Sequence, residues 1–421
     1  MNWFSFLGMV LLIFVAFLLS ENKRKQNLRL IIGVFLLELL LGFLFLRLEW
    51  GIWFFDLINK GVVKLVQISN EGSRFLFGVL ALPPGSEGSL GFILIFQALP
   101  SIVFFSALIS VLYYLNIMKY LIEFFSFVFY KLFRISGAES LVASSNIFVG
   151  IESILTVRPL ISSMTRSELA TILTAGLSTV ASNVLAIYVF TLGGVFPKIA
   201  GHLVVASILS APAAILFSKI LVPEVETPVT YGKFMKLSYP KEQSLAEAII
   251  QGSNTGLKLI FGIVALLLSV IGLVKLVDEI IIGIVQALGF ETQISLLWIF
   301  GYLFYPLVWM TGVPSEDILK VAMLLGERLI LTEVYSYNHL AELMKNQAIQ
   351  PLSAFISSYI LCGFTHFASL AIFLGGIQMI VPEKTKILAS ISWKSLLAAN
   401  FAGLFTGAVA GFYYSGTSLL F

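Results

Sequence analysis

The chain has 421 residues, of which 58% are hydrophobic and 12% charged, with a formal net charge of +3 and a mean hydropathy of +0.98. Soluble domains carry about a quarter charged residues, so half the usual charge is missing and a water-soluble globular protein is excluded. No long basic run exists, which excludes nucleic acid as a partner, and the single cysteine, Cys362, excludes an internal disulfide and any paired-cysteine site.

Apolar windows at Leu7–Leu19, Leu30–Phe45, Phe92–Leu115, Leu169–Leu192, Leu259–Val274 and Leu396–Tyr413, taken with their flanks, can cross about 30 Å of hydrocarbon. Continuous runs of this kind predict an all-α polytopic protein in a lipid bilayer, not a barrel of short alternating strands. The first helix is expected over 3–20. No Lys or Arg precedes it, and Lys23, Arg24, Lys25 and Arg29 follow it, the reverse of a signal peptide. It is therefore read as retained, with its N-terminus outside and the basic cluster inside. A second span covers 28–47, an interfacial helix 51–70, and an exposed turn-rich loop 81–91.

From there the chain reads as two halves separated by a polar loop over roughly 221–250. The first holds a span at 92–116, an interfacial helix at 119–135, a polar-tipped segment at 138–164 and spans at 166–192 and 199–220. The second holds a span at 255–285, an apolar helix at 294–313, a polar-tipped segment at 315–345 and spans at 350–380 and 395–418. Five elements in the same order predict a structural repeat. An odd number of crossings between the halves predicts that it is inverted. Lys119, Arg134, Lys219, Lys236 and Lys384 then join the first basic cluster on the inner face, as positive-inside topology requires.

Each polar-tipped segment is too polar for a plain span and too apolar for a loop. Two short helices meeting at a tip explain the pattern, with Glu152 near one tip (Gly150–Ser153) and Glu333 at the other. Each is followed by a span with a polar interruption, "AGLSTVASNVLA" (Ala175–Ala186) and "CGFTHFASLA" (Cys362–Ala371). A carboxylate at the centre of a membrane helix costs about 2.5–3.5 kcal/mol, so it belongs where it faces water, ion or solute. Re-entrant hairpins and broken helices in paired positions are how many secondary transporters present helix ends at the midplane. The bland readings are Glu152 paired with Arg158, Glu333 paired with Arg328, Thr179 and Ser182 bonded back to helix carbonyls, and His366 packed as a neutral ring.

At these residues the chain resembles the concentrative nucleoside transporter family. The likeness is carried by "FFSALISVLYYL" (Phe104–Leu115), "NIFVG" (Asn146–Gly150), "RP" with "MTRSEL" (Arg158–Leu169), "GVP" (Gly312–Pro314), "TEVYSY" (Thr332–Tyr337) and "LCGF" with "ASLAIFLGG" (Leu361–Gly376). The resemblance implies a homotrimer in the inner (plasma) membrane that imports nucleosides on a sodium or proton gradient. It implies a scaffold over 1–116 and 255–313 and a moving transport domain over 119–220 and 315–421. It implies a sodium site at Asn146, Val149, Thr179 and Val180, and a substrate site at Glu152, Val184, Glu333, Phe364, His366 and Ser369, with no cofactor beyond the coupling ion.

The chain leaves the family pattern in three places. The first tip usually reads Gly-Gln-Thr-Glu and here reads Gly150-Ile151-Glu152-Ser153, one residue shorter, so the amide that reads the base is absent there. The Asn of the second break is His366, and the second tip's Asn-Glu is Thr332-Glu333. The alternative within transport is therefore the same fold carrying a different nucleoside-related or small polar solute. An enzyme is disfavoured: His366 and Ser369 are three apart, but no third orienting group is visible in the sequence.

Overall fold

The computed structural model describes residues 2–83, 86–238, 242–288 and 294–416, with the side chains of Ile151, Glu152 and Leu155 outside the description. Every element among the described residues is helical. Helices α1 (Trp3–Leu18), α2 (Leu28–Leu46) and α3 (Glu49–Phe77) come first, then a short α4 (Leu94–Gln97), α5 (Ser101–Tyr114) and α6 (Ile117–Phe133). The single span expected at 92–116 is thus split. Pro100 cannot donate to the ladder, and α5 restarts immediately after it. The expected interfacial helix at 51–70 is the middle of the 29-residue α3, which buries one stripe through Gly51, Phe55, Val66, Ser69 and Ser73.

The first polar-tipped segment is α7 (Gly137–Val149) followed by a 3-10 helix over Gly150–Ser163. Both ends of α7 are legible in the sequence. Ser136 and Glu139 form a reciprocal capping box at its start, and Gly150, at φ 74°, turns the chain at its end. The returning limb differs from the α-helix expected. It contains Pro159, which an α-helix interior does not accommodate, and a 3-10 helix rises about 2.0 Å per residue against 1.5, so this limb covers more length per residue. The first broken helix is α8 (Arg166–Ser178) and α9 (Ser182–Leu192), and α10 (Ile199–Leu221) completes this half.

The second half has α11 (Leu245–Ala287), α12 (Leu296–Trp309), the hairpin α13 (Ile318–Ile330) and α14 (Glu333–Lys345), the broken helix α15 (Pro351–Ile360) and α16 (Phe367–Ile380), and α17 (Thr385–Tyr413). Two spans begin about ten residues before their expected starts, α11 at Leu245 and α17 at Thr385, because both open on residues too polar to score as membrane but good in a helix.

Burial separates the helices into two kinds. The apolar windows of α8–α9, α10 and α17 are each 94% buried, whereas that of α11 is 6% buried and that of α2 is 28% buried. The first group forms the interior, and α11 turns its apolar length outward. Its inner edge packs on α5 through Gly252 and Gly256, where an added Cβ would lie 2.6 Å from Ser106 O and 2.7 Å from Val103 Cα. Small residues four apart are what lets two membrane helices approach this closely.

At the base of the first hairpin, Lys219 Nζ of α10 pairs with Glu139 at 2.5 Å and donates to Ser167 Oγ at 2.9 Å. In the turn after α1, Glu21 receives Arg166 at 2.7 Å and Lys394 at 2.9 Å. Burial pushes the Glu21 carboxyl up, but the two cations outweigh it and hold it below the usual carboxylate range.

The two broken helices cross at their interruptions. A Cβ on Gly363 would lie 2.8 Å from Ser178 O, and Thr365 Oγ1 donates to Leu177 O at 2.9 Å. The chain leaves helical geometry here only where it is enclosed by protein, the one setting in which a membrane interior tolerates it.

Candidate functional site

The start of α16 is set by an unusual cap. His366, extended at φ −137° and ψ 160°, accepts at Nδ1 from the backbone N–H of Ser369 at 3.1 Å. A neutral imidazole that accepts at Nδ1 carries its proton on Nε2, and Nε2 lies 2.7 Å from Ser369 Oγ. Glu333, the first residue of α14, stands across from it with Oε2 3.1 Å from the same Nε2. That approach is off-line from the Nε2–H, which is committed to the serine, so Glu333 Oε2 is a buried carboxylate oxygen with no hydrogen-bond partner. The other oxygen, Oε1, receives the hydroxyl of Tyr188 from α9 at 2.8 Å. Tyr188 is fully buried and packs its ring 4.5 Å from that of Tyr337.

These groups face a cavity of about 290 Å³ between α9, α11, the second hairpin tip and the start of α16. Val184, Glu333, Phe364, His366 and Ser369 all line it, so five of the six residues expected at a solute site come together. The sixth, Glu152, lies outside the described residues. The bland reading, Glu333 paired with Arg328, is not what the structure shows: Glu333 lies against Tyr188 and His366, and the guanidinium bonds elsewhere. His366 is a helix cap rather than a ring stacked on Phe367, whose own ring meets Trp393. Serine, histidine and carboxylate are adjacent, yet serine and carboxylate sit at the same imidazole nitrogen, which is not the relay a nucleophile needs.

A second polar group lies where α7 ends beside the break after α8. Asn146 is fully buried, and its Nδ2 donates to Thr179 Oγ1 at 2.6 Å and closely to Ala175 O. Thr179 Oγ1 donates back to Asn146 O at 2.8 Å, and Ser153 Oγ approaches Asn146 Oδ1 at 3.4 Å. The result is a nest of oxygens from two helix ends. The amide nitrogen faces it, because Ala175 O is a carbonyl that only accepts. Val149 is the last residue of α7, and Val180 follows Thr179 within the break. The carbonyl of Ala175 and the hydroxyl of Ser153 belong to the nest too.

The chain as a whole matches one group of proteins. Models of the Na+ dependent nucleoside transporter N-terminus and C-terminus match residues 7–80 and 202–411, and a nucleoside recognition model matches residues 95–195. The uncharacterized transporter YutK of Bacillus subtilis is 35% identical over 97% of this chain and 98% of its own length. The nucleoside permease NupC of Helicobacter pylori is 33% identical over 97% of each chain. The solved structure of CNTnw in an inward-facing substrate-bound state is 33% identical, covers 98% of this chain and 97% of the other, and superposes with a TM-score of 0.88. The chain belongs to the sodium-dependent nucleoside transporter family. It is a multi-pass membrane transporter and not an enzyme.

Sequence reasoning missed Tyr188, which does not line this transporter's cavity but bonds Glu333, and two polar residues that do line it. Tyr188 offers no pattern in the sequence, since a tyrosine in an apolar helix is ordinary packing. Lys258 of α11 lines the cavity, and a lysine inside an apolar span is a readable signal. Asn183 of α9 also lines it, with Nδ2 3.3 Å from Ser106 Oγ of α5 and a buried Oδ1 that has no partner.

Proposed function

We propose that this transporter imports nucleosides in symport with sodium across a plasma membrane. The observation that carries the reading is Glu333, a carboxylate that lines the cavity, held by Tyr188 on one oxygen and without a hydrogen-bond partner on the other. A carboxylate acceptor takes sugar hydroxyls in charge-assisted hydrogen bonds of about 1.5–3 kcal/mol each. Phe364 and Val184 offer the base an apolar wall, and Ser369 a further hydroxyl. Asn183 Oδ1 supplies the acceptor for a base N–H that the first hairpin tip lacks. Sodium takes the nest at Asn146 and Thr179, with Val149 and Val180 completing it. Hard oxygen donors at helix ends support an alkali cation there.

Residues 119–220 and 315–421 act as the moving domain, and residues 1–116 and 255–313 as the scaffold. The outward apolar length of α11 supports a homotrimer built on that helix.

Purified protein in liposomes under a sodium gradient tests the reading. Uptake of a labelled nucleoside should be competed by other nucleosides and not by free bases or ribose, and should fall when sodium is replaced by choline. Asn146→Ala should remove the sodium stimulation. Equal uptake in choline would refute sodium coupling, and competition by free bases alone would refute the sugar role of Glu333.

A further inference from the structure

Arg328 is fully buried, and among the described residues it has no carboxylate within ion-pair distance. Enclosing a guanidinium costs several kcal/mol even after relaxation, so its surroundings must answer the charge. They do so with dipoles. One Nη donates to the carbonyl of Ile360, the last residue of α15, and the other donates to Asn400 Oδ1 at 2.6 Å. The Asn400 amide is itself oriented by its Nδ2 donating to Leu396 O at 3.0 Å. Arg328 also stands in the last turn of its own helix, α13, so the negative ends of two helices meet at the guanidinium. Gly403 of α17 keeps the space open: a Cβ there would lie 2.9 Å from Ile360 O and 3.3 Å from the guanidinium.

The same relation occurs in the first half. Asn146, near the end of the first limb of its hairpin, reaches Ala175 O in the last turn of α8, the first part of the broken helix that follows. Arg328, near the end of the first limb of the second hairpin, reaches Ile360 O at the end of α15, the first part of the broken helix that follows. In the first half the hairpin meets the broken helix around a nest of oxygens. In the second half it meets it through a fixed positive charge.

We propose that Arg328 is a positioning residue, a tethered cation that does for the second hairpin what the bound sodium ion does for the first. It pins the limb leading to Glu333 onto the segment leading to Phe364 and His366, and so sets the geometry of the solute cavity. The parallel rests on the sodium reading of the Asn146–Thr179 nest. Only one of the two equivalent junctions is then filled by an ion that can leave.

The test uses the full-length protein in liposomes with two substitutions. Arg328→Ala empties the guanidinium space, and nucleoside affinity should fall about tenfold or more, the loss expected for one charged hydrogen-bonded anchor, while the sodium activation constant stays put. Millimolar guanidinium ion should restore the affinity of this variant and leave wild type unchanged. Arg328→Met fills the space without charge. A role in packing alone predicts a Met variant as stable as wild type or more so, with wild-type affinity. The proposal expects it stable, weak in nucleoside binding and indifferent to guanidinium. Wild-type affinity in Arg328→Met, or a folded Arg328→Ala that guanidinium does not rescue, would overturn it. So would failure of both variants to give monodisperse protein, since Arg328 would then serve folding. The sodium reading is judged separately, because sodium is varied on wild type and guanidinium acts only on the variant.

Discussion

Replacing His366 by asparagine tests the group that caps α16 beside Glu333. In the neutral ring, Nδ1 caps α16 through the Ser369 N–H, Nε2–H points at Ser369 Oγ, and Glu333 Oε2 is left free for a solute hydroxyl. Protonation places a hydrogen on Nδ1 facing the Ser369 N–H, which removes a cap worth about 1 kcal/mol. It also makes the ring a cation 3.1 Å from Glu333 Oε2, an attraction of about 1.5–3 kcal/mol for a charged hydrogen bond. The net gain of about 0.5–2 kcal/mol goes to the form in which Glu333 is occupied, so nucleoside binding should weaken roughly 2- to 30-fold when the ring is charged. The sign follows from the geometry: a charged ring lowers nucleoside affinity, so affinity is expected to be higher at alkaline than at acid external pH. Asparagine caps a helix at least as well and carries no charge. His366→Asn should keep transport at the alkaline end and lose the fall at the acid end. Initial uptake rates against nucleoside concentration at each pH, in liposomes with the internal pH clamped, give the affinities directly. Identical pH profiles for wild type and His366→Asn would show that His366 never charges in the working protein and only caps the helix.

Tyr188→Phe keeps the ring packed on Tyr337 and removes one hydrogen bond to Glu333 Oε1, so nucleoside affinity should drop about tenfold with sodium activation unchanged. An unaltered uptake KM would mean that Tyr188 does not orient the carboxylate. Asn183→Ala removes a buried, unpartnered Oδ1 from a residue that lines the cavity, so the parent protein's preference for a nucleoside over its analogue N-methylated on the base should shrink toward none in the variant. A preference that survives intact would place base recognition elsewhere.

Much of the architecture was legible in the sequence because membrane insertion writes it locally. A helix must satisfy its own backbone in hydrocarbon, so spans appear as long apolar runs and their ends as caps such as Ser136 with Glu139 and Thr165 with Glu168. Interruptions also announce themselves: a polar patch inside an apolar run, as at Thr179 and at His366, has no stable place except a break that protein encloses. That is why both hairpins, both broken helices and the paired carboxylate Glu333 could be placed from the order of residues alone.

What the order of residues could not decide was which polar groups meet. Glu333 lies five residues from Arg328 and would be paired with it on sequence distance, yet α13 carries the guanidinium to the end of α15, and the carboxylate turns to Tyr188, 145 residues away, and to His366. The returning limb of the first hairpin is a 3-10 helix with Pro159 inside it, where two α-helices were expected to meet at the tip. The cap on α16, the crossing of the two breaks at Gly363, and the cavity wall added by Asn183 and Lys258 were likewise not decided by the order of residues. Periodicity and hydropathy report how a segment relates to its solvent; which buried donor meets which acceptor is settled only when helices from distant parts of the chain pack together.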